Sequence, residues 1–181
     1  MFTGAFANTL SKVIGKDEVF FGIIENGRDR FKNFDNVGLF INPLPMVVNC
    51  KHPDTFSFMQ YMSKTVYDMM NFNFYPFSLV ALELGIEPII LFQYLPSWLT
   101  GENVESTDDQ SPSDNFGNEI VSQMEDFMVE SLIEVKQRGK NYTLSILYSD
   151  YYSKELMEHL AACYKKTLSQ ILNTNQLADT L

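Results

Sequence analysis

The side chains that could carry nucleophilic, acid–base or metal chemistry are few in this chain and far apart. It has two histidines, His52 and His159, and two cysteines, Cys50 and Cys163. Neither histidine is accompanied by cysteines or acids in a pattern typical of a metal site, which favours histidines on the surface or on a helix face. The chain also lacks a Gly-x-Ser-x-Gly nucleophile turn and a glycine-rich phosphate loop. We therefore predict no self-contained catalytic centre, no metal site and no directly bound cofactor.

The charge of the chain is acidic and unevenly distributed. Thirteen Lys and Arg residues against 23 Asp and Glu residues give a formal net charge of −10. Residues 65–135 contain no Lys or Arg and 13 of the acids. This pattern indicates a solvated section whose acidic side chains favour solubility through charge repulsion between molecules. It does not indicate a site for an anionic substrate. Nucleic acid is excluded as a partner because its binding depends on neutralising phosphates.

The length and composition are typical of one folded domain in a reducing compartment. The chain has 181 residues, of which 45% are hydrophobic, so it can bury a sizeable core. Two widely separated cysteines indicate free thiols. The first residues lack the basic region of a signal peptide, and charged residues and prolines interrupt the most apolar stretch, Pro76–Leu99. We expect a cytoplasmic protein with no membrane span.

Hydrophobic periodicity predicts helices and strands in alternation. Two prolines in one apolar run imply a sheet edge, a bend or a bulge. Gly101–Asn118 reads as a flexible acidic loop within a single domain over residues 1–181. The order of elements predicts an α/β layered domain with a mixed sheet. The predicted elements are a helix over Phe2–Ile14, a strand over Val19–Ile24, an apolar run over Val37–Asn49, a helix capped by Thr55 and reaching Met70, a short helix from Ser78 to about Gly85, a strand over Ile89–Tyr94, an antiparallel hairpin of Phe127–Lys136 and Tyr142–Tyr148, and a last helix capped by Ser153.

Four segments in this order resemble the C-terminal lobe of a nonribosomal peptide synthetase condensation domain. Phe2–Arg28 is similar to the helix and strand that open this lobe, and Gly38–Val48 is similar to the family's GxFVNTLPLRV segment. Tyr75-Pro76-Phe77-Ser78 resembles the family's YPFE, and Asn141–Leu172 resembles the closing strand and helix. The family shares its fold with chloramphenicol acetyltransferase and other CoA-dependent acyltransferases. The resemblance implies two layers, with the helices packed on one face of the mixed sheet.

The sequence also departs from this family at the residues that perform its chemistry. The family's His-His-x-x-x-Asp-Gly motif lies in the N-terminal lobe, and this chain contains no His-His pair. The family's RDxSRNPLFQ segment is contracted to Glu87–Gln93, without either arginine. The resemblance therefore implies a part of a longer bacterial synthetase or a non-catalytic relative, not an enzyme by itself. An acetyltransferase acting as an oligomer is disfavoured for the same reason.

The resemblance implies candidate residues and partners for peptide-bond formation in secondary metabolism. It places Asn42 beside the tunnel that receives the phosphopantetheine arm of a carrier protein. The alternative for Asn42 is a strand end that satisfies backbone groups before Pro43. Tyr75, Pro76 and Phe77 are motif residues that fit a packing corner better than a site.

The resemblance further implies structural roles and a missing partner. Arg28 is expected to be an ion-pair residue after the first strand, and Gly38 belongs to the same structural motif. The implied partners are the N-terminal lobe and peptidyl carrier protein domains. A face left without its partner lobe would carry aromatic and Met side chains. The alternative to a synthetase part is therefore a non-catalytic interaction or dimerisation module that self-associates through that face.

Overall fold

A computed structural model describes residues 1–25, 41–86, 90–97 and 129–178, with side chains to residue 173. The described residues form five strands and four helices. Arg28, Gly38 and the expected acidic loop of Gly101–Asn118 lie outside the described residues. The elements, in chain order, are α1 (Phe2–Ile14), β1 (Glu18–Glu25), β2 (Asn42–Asn49), α2 (Thr55–Met70), α3 (Phe77–Leu84), β3 (Ile90–Leu95), β4 (Ser131–Arg138), β5 (Asn141–Tyr148) and α4 (Lys154–Ala178).

The five strands form one mixed sheet in the order β2-β1-β3-β4-β5. The central strands β1, β3 and β4 are parallel, and β2 and β5 pair antiparallel with their neighbours at the two edges. Pro43 and Pro45 of β2 lie opposite Ile24 and Gly22 without a break in register. A strand with two prolines is tolerated here because an edge strand has one side without ladder hydrogen bonds. Of the three alternatives drawn from the prolines, the edge is confirmed.

The hydrophobic core lies between one face of this sheet and helices α1, α2 and α4, which confirms the expected two-layer α/β architecture. The ring of Phe6 from α1 stacks on Phe92 of β3 and meets Phe21 of β1 edge-on, with both centroid distances 5.1 Å. The hydroxyl of Tyr164 on α4 donates to the Phe2 carbonyl at 3.2 Å, which ties the first helix to the last. Further buried core residues are Leu10, Met46, Val48, Phe58, Met62, Ile133, Met157, Leu160 and Ile171.

Two helix starts differ from the sequence-based predictions. The cap of α2 is Asp54, not Thr55: the Asp54 carboxylate accepts hydrogen bonds from the Ser57 amide and hydroxyl, both at 2.8 Å. These bonds lower the pKa of Asp54 because they favour its charged form. The short helix α3 begins at Phe77 after Pro76, one residue before Ser78. Proline fits directly before a helix because it has no amide hydrogen to leave unpaired.

The C-terminal part forms the predicted hairpin and last helix, although β4 covers Ser131–Arg138 rather than Phe127–Lys136, of which residues 127 and 128 lie outside the described ranges. β4 and β5 form the expected hairpin, joined at Gly139, whose φ of 58° is the left-handed conformation that glycine adopts without strain. The Ser153 hydroxyl accepts from the Leu156 amide at 3.2 Å and so caps α4 as predicted. Within the described ranges, none of the helices combines the length and the apolar character that a membrane crossing needs.

Candidate functional site

The side chain of Asn42 holds the segment between α2 and α3 in place. Its Nδ2 donates to the carbonyls of Asn73 and Tyr75, each at 2.9 Å. Its Oδ1 accepts from the Phe77 amide at 3.1 Å. Asn42 thus joins the start of β2 to a segment more than 30 residues later in the chain.

The local sequence explains why this segment needs a partner. α2 ends at Met70, tight turns follow, and Pro76 precedes α3 in an extended conformation with ψ of 125°. Proline has no side chain that can cap a helix, and the first amides of any helix have no partner within it. The amide oxygen of Asn42 therefore acts as the cap of α3 from a different element.

An apolar groove of about 240 Å³ lies beside the Asn42 contact. It is formed where β2, the end of α2 and the start of α3 meet. No charged side chain lines it among the described residues. The groove therefore suits an apolar or aromatic group and offers nothing to bind a phosphate. The lining residues are Leu44, Pro45, Met69, Phe72, Phe74, Tyr75, Phe77 and Val80.

The structure brings together the candidate residues that lie within the described ranges. Asn42 bonds to the backbone of Tyr75 and Phe77, with Pro76 between them, and the Tyr75 and Phe77 side chains line the groove. The observed hydrogen bonds of Asn42 match the alternative interpretation, in which its side chain satisfies backbone groups. These backbone groups lie more than 30 residues later in the chain, however, and not next to Pro43. Contact of these residues with a substrate stays a prediction.

Sequence reasoning missed the contribution of Asn73 and its neighbouring phenylalanines. The Asn73 carbonyl accepts from Asn42, and its side-chain amide lies 3.4 Å from the Glu25 carboxylate at the end of β1. Phe72 and Phe74 flank Asn73 and line the groove while remaining 62% and 55% exposed. The alternation of Asn and Phe after the end of α2 could have indicated this groove, because large aromatic side chains in an exposed turn are available for binding rather than for core packing.

The cysteine and histidine near the start of α2 have structural contacts. The His52 ring packs against Tyr61 at a centroid distance of 4.7 Å and makes a hydrogen bond with the Asn49 carbonyl at 3.1 Å. The Cys50 thiol donates to the Ala7 carbonyl at 3.4 Å, and burial raises the pKa of this thiol. Among the described residues, no three His, Cys, Asp or Glu side chains come together as a metal site.

Glu134 is a half-buried carboxylate on the sheet face opposite the helical core. Its neighbours Ile133 and Val135 point into that core, and it lies between Gln93 of β3 and Ser145 of β5. Desolvation raises its pKa above the ordinary value of 4.5, while the charge of Lys136 partly opposes this shift. Glu134 therefore favours folding when protonated, and this contribution is lost as the pH rises through its folded-state pKa.

We expect Glu134→Gln to raise the free energy of unfolding at neutral pH, because the neutral amide avoids the desolvation of a buried charge. The gain over wild type should shrink as the pH falls below the ordinary glutamate pKa of 4.5. Urea unfolding across this pH range measures the effect. Glu18→Gln, at an exposed position on β1, is the control and should change little. A Glu134→Gln variant less stable than wild type at neutral pH would contradict this assignment.

Three solved structures share this fold over nearly the whole chain. They are the condensation domain from the Monacolin K polyketide synthase MokA (TM-score 0.67, 15% identity, 93% of this chain), the epimerization domain from the third module of tyrocidine synthetase B (0.63, 18%, 96%) and the PapA2 acyl transferase (0.67, 10%, 94%). At these identities the likeness shows the fold alone. No curated protein matches the sequence significantly.

The chain spans only part of the length of these solved structures, covering 40%, 41% and 38% of the three. The motif order of the sequence resembled one lobe of a two-lobed domain, and partial coverage of this size fits that expectation. A family model of the condensation domain matches residues 1–180. A match over nearly every residue, on a fold that condensation and acyl transferase structures share, establishes that this chain belongs to the condensation domain family.

Proposed function

We propose that this chain is the C-terminal lobe of a nonribosomal peptide synthetase condensation domain and helps to bind carrier-protein-tethered aminoacyl or peptidyl thioesters during peptide-bond formation. The observation that carries the proposal is the condensation-family match over residues 1–180, combined with coverage of about 40% of a solved relative. The setting would be cytoplasmic, in the secondary metabolism of a bacterium.

In this proposal the lobe binds substrate but does not perform catalysis alone. The chain has no His-His pair to supply a general base for the attacking amine. His52 is occupied by ring packing and a backbone contact, and His159 lies on α4. The base would come from the N-terminal lobe, which is the proposed partner.

The surface of α3 supports a partner for this lobe. No residue of this helix is buried, although six of its eight side chains are apolar. Leu82 and Leu84 are 81% and 66% exposed, and Phe72 and Phe74 extend the apolar surface beyond the helix start. Exposed apolar side chains in this number on one short helix and the turn before it favour a region that another protein surface covers. We propose that the missing lobe covers it, with a second copy of this chain as the alternative.

The groove beside Asn42 is the proposed contact for the apolar part of the tethered substrate. The phosphopantetheine arm belongs to the carrier protein, so the chain binds no cofactor of its own. Because the lining is uncharged, the phosphate of the arm would remain outside the groove, and an aromatic or aliphatic side chain of the thioester would enter it.

Binding of carrier proteins to the purified chain tests this function. We expect a carrier loaded with a phenylalanyl-phosphopantetheine thioester to bind tighter than the same carrier without its arm, as measured by fluorescence anisotropy. Val80→Asp places a charge in the groove and should remove this preference. Leu82→Asp makes the same change on the exposed side of the same helix and should preserve it.

Two outcomes would count against the proposal. If neither carrier binds, and light scattering shows concentration-dependent dimers, the chain is a non-catalytic interaction module. If the loaded carrier binds equally to both variants, the lobe contacts carriers but the groove does not receive their substrate.

A further inference from the structure

His159 and Cys163 form a side-chain pair on α4 that the proposed function does not use. They are four residues apart in a helix, so they lie on the same face, one turn apart. The Cys163 sulfur lies 3.5 Å from His159 Nε2. The His159 side chain is exposed and Cys163 is partly exposed, so water and solutes reach both. From the sequence we expected His159 on the surface or on a helix face and predicted no metal site, so the pair with Cys163 was not anticipated.

The distance between the two atoms matches the edge of a tetrahedral metal site. With Zn–N of about 2.0–2.1 Å and Zn–S of about 2.3 Å, two ligands at a tetrahedral angle lie about 3.6 Å apart. The observed separation of 3.5 Å between Sγ and Nε2 is close to this edge length. Imidazole nitrogen and thiolate sulfur are also the ligands that zinc prefers.

We propose that His159 and Cys163 bind one thiophilic divalent cation of the zinc class. His159 Nε2 donates a lone pair in its neutral form, and the thiol of Cys163 loses its proton to solvent as the S–metal bond forms. Two water molecules complete the tetrahedron, since no third ligand-type side chain joins the pair among the described residues. Glu155, one turn before His159 on α4, adds negative charge near the ion, and Lys166 after Cys163 opposes it.

Cys50 provides an internal comparison for this site. Its thiol is hydrogen-bonded to the Ala7 carbonyl, and desolvation raises its pKa. His52, two residues away, contacts the Asn49 carbonyl through Nε2 rather than the sulfur. Of the two Cys–His combinations in the chain, Cys50 and His52 both contact backbone carbonyls, whereas the donor atoms of Cys163 and His159 lie 3.5 Å from each other.

Titration of the reduced, purified chain with Co²⁺ tests the proposal, because a cobalt–thiolate bond gives a near-ultraviolet charge-transfer absorption. We expect one Co²⁺ per chain in the wild type and in Cys50→Ser, with Zn²⁺ displacing it. Cys163→Ser should abolish the charge-transfer absorption. His159→Gln should weaken binding at least ~10-fold, because removing a direct ligand should cost no less than removing an outer-shell partner of a metal site.

The thermal unfolding midpoint gives a second readout that does not depend on the charge-transfer absorption. Zn²⁺ should raise it in the wild type and in Cys50→Ser, but not in Cys163→Ser, since a ligand that binds only the folded state stabilises it. The proposal is overturned if the absorption saturates equally in Cys163→Ser, if it is lost in Cys50→Ser, or if the wild type shows no saturable binding. A ratio of one metal per two chains would overturn the two-ligand site in favour of a bridge between chains.

Discussion

Phe6→Ala is expected to lower the free energy of unfolding by about 3–5 kcal/mol, the cost of removing a buried aromatic ring and leaving a cavity. Phe6 is 1% exposed and contacts core rings from three other elements. The centroids of Phe21 and Phe92 lie 5.1 Å from its ring, and that of Tyr164 lies 6.3 Å away. Because domain stability is typically about 5–15 kcal/mol, this loss would remove a large fraction of it.

The measurement is urea unfolding followed by circular dichroism, with two companion variants. Phe6→Leu retains most of the volume and should cost about 1.5 kcal/mol or less, which keeps the test informative if the alanine variant fails to fold. Phe56→Ala is the matched control, because Phe56 on α2 is 58% exposed, and it should change stability by about 0.5 kcal/mol or less. Equal effects at positions 6 and 56 would refute the assignment of Phe6 to the centre of the core.

Asn42→Ala is expected to destabilise the protein by about 2 kcal/mol, because three backbone groups lose their partner and two of these hydrogen bonds are partly buried. These groups are the carbonyls of Asn73 and Tyr75 and the amide of Phe77. The Phe77 amide should also exchange its hydrogen faster than in the wild type, since the start of α3 loses its cap. Urea unfolding and hydrogen exchange measure the two effects.

Two further substitutions separate the contributions of the Asn42 side chain. Asn42→Asp keeps an acceptor for the Phe77 amide but places a carboxylate against two carbonyls, so it should be as destabilising as alanine at neutral pH and less so in acid. Asn49→Ala at the other end of β2 is the control. The Asn49 side chain accepts one exposed hydrogen bond, from the Lys51 amide at 2.9 Å, and its loss should cost about 0.5 kcal/mol or less. An Asn42→Ala variant as stable as this control would show that the cap does not hold α3.

Local chemistry made most of the secondary structure predictable. The apolar spacing of α1 and the αL glycine that ends it, Gly15, fix that helix within the chain. The two prolines of β2 left an edge, a bend or a bulge open, and the structure selects the edge. The cap of α2, Asp54, and the first residue of α3, Phe77, were each missed by one residue, because several consecutive residues could begin these helices and only the backbone geometry selects one.

The candidate site was predictable only in part. The resemblance singled out Asn42 and Tyr75–Phe77 as separate motifs, but no periodicity connects residues 33 positions apart. The contact arises because β2 and the turn after α2 meet at one end of the sheet. The groove depends on the same packing, since Leu44 and Val80 belong to different elements.

The sequence by itself determined the class of this protein: an acidic α/β domain whose motifs follow the order of a condensation-domain lobe, with no His-His pair. These properties depend on residue types and on residues close together in the sequence, so they can be read from the sequence directly. Only the tertiary structure decided the strand order β2-β1-β3-β4-β5, the hydrogen bonds of Asn42 and the exposure of α3. These depend on which distant surfaces exclude water from each other, a property of the whole packed chain rather than of any segment.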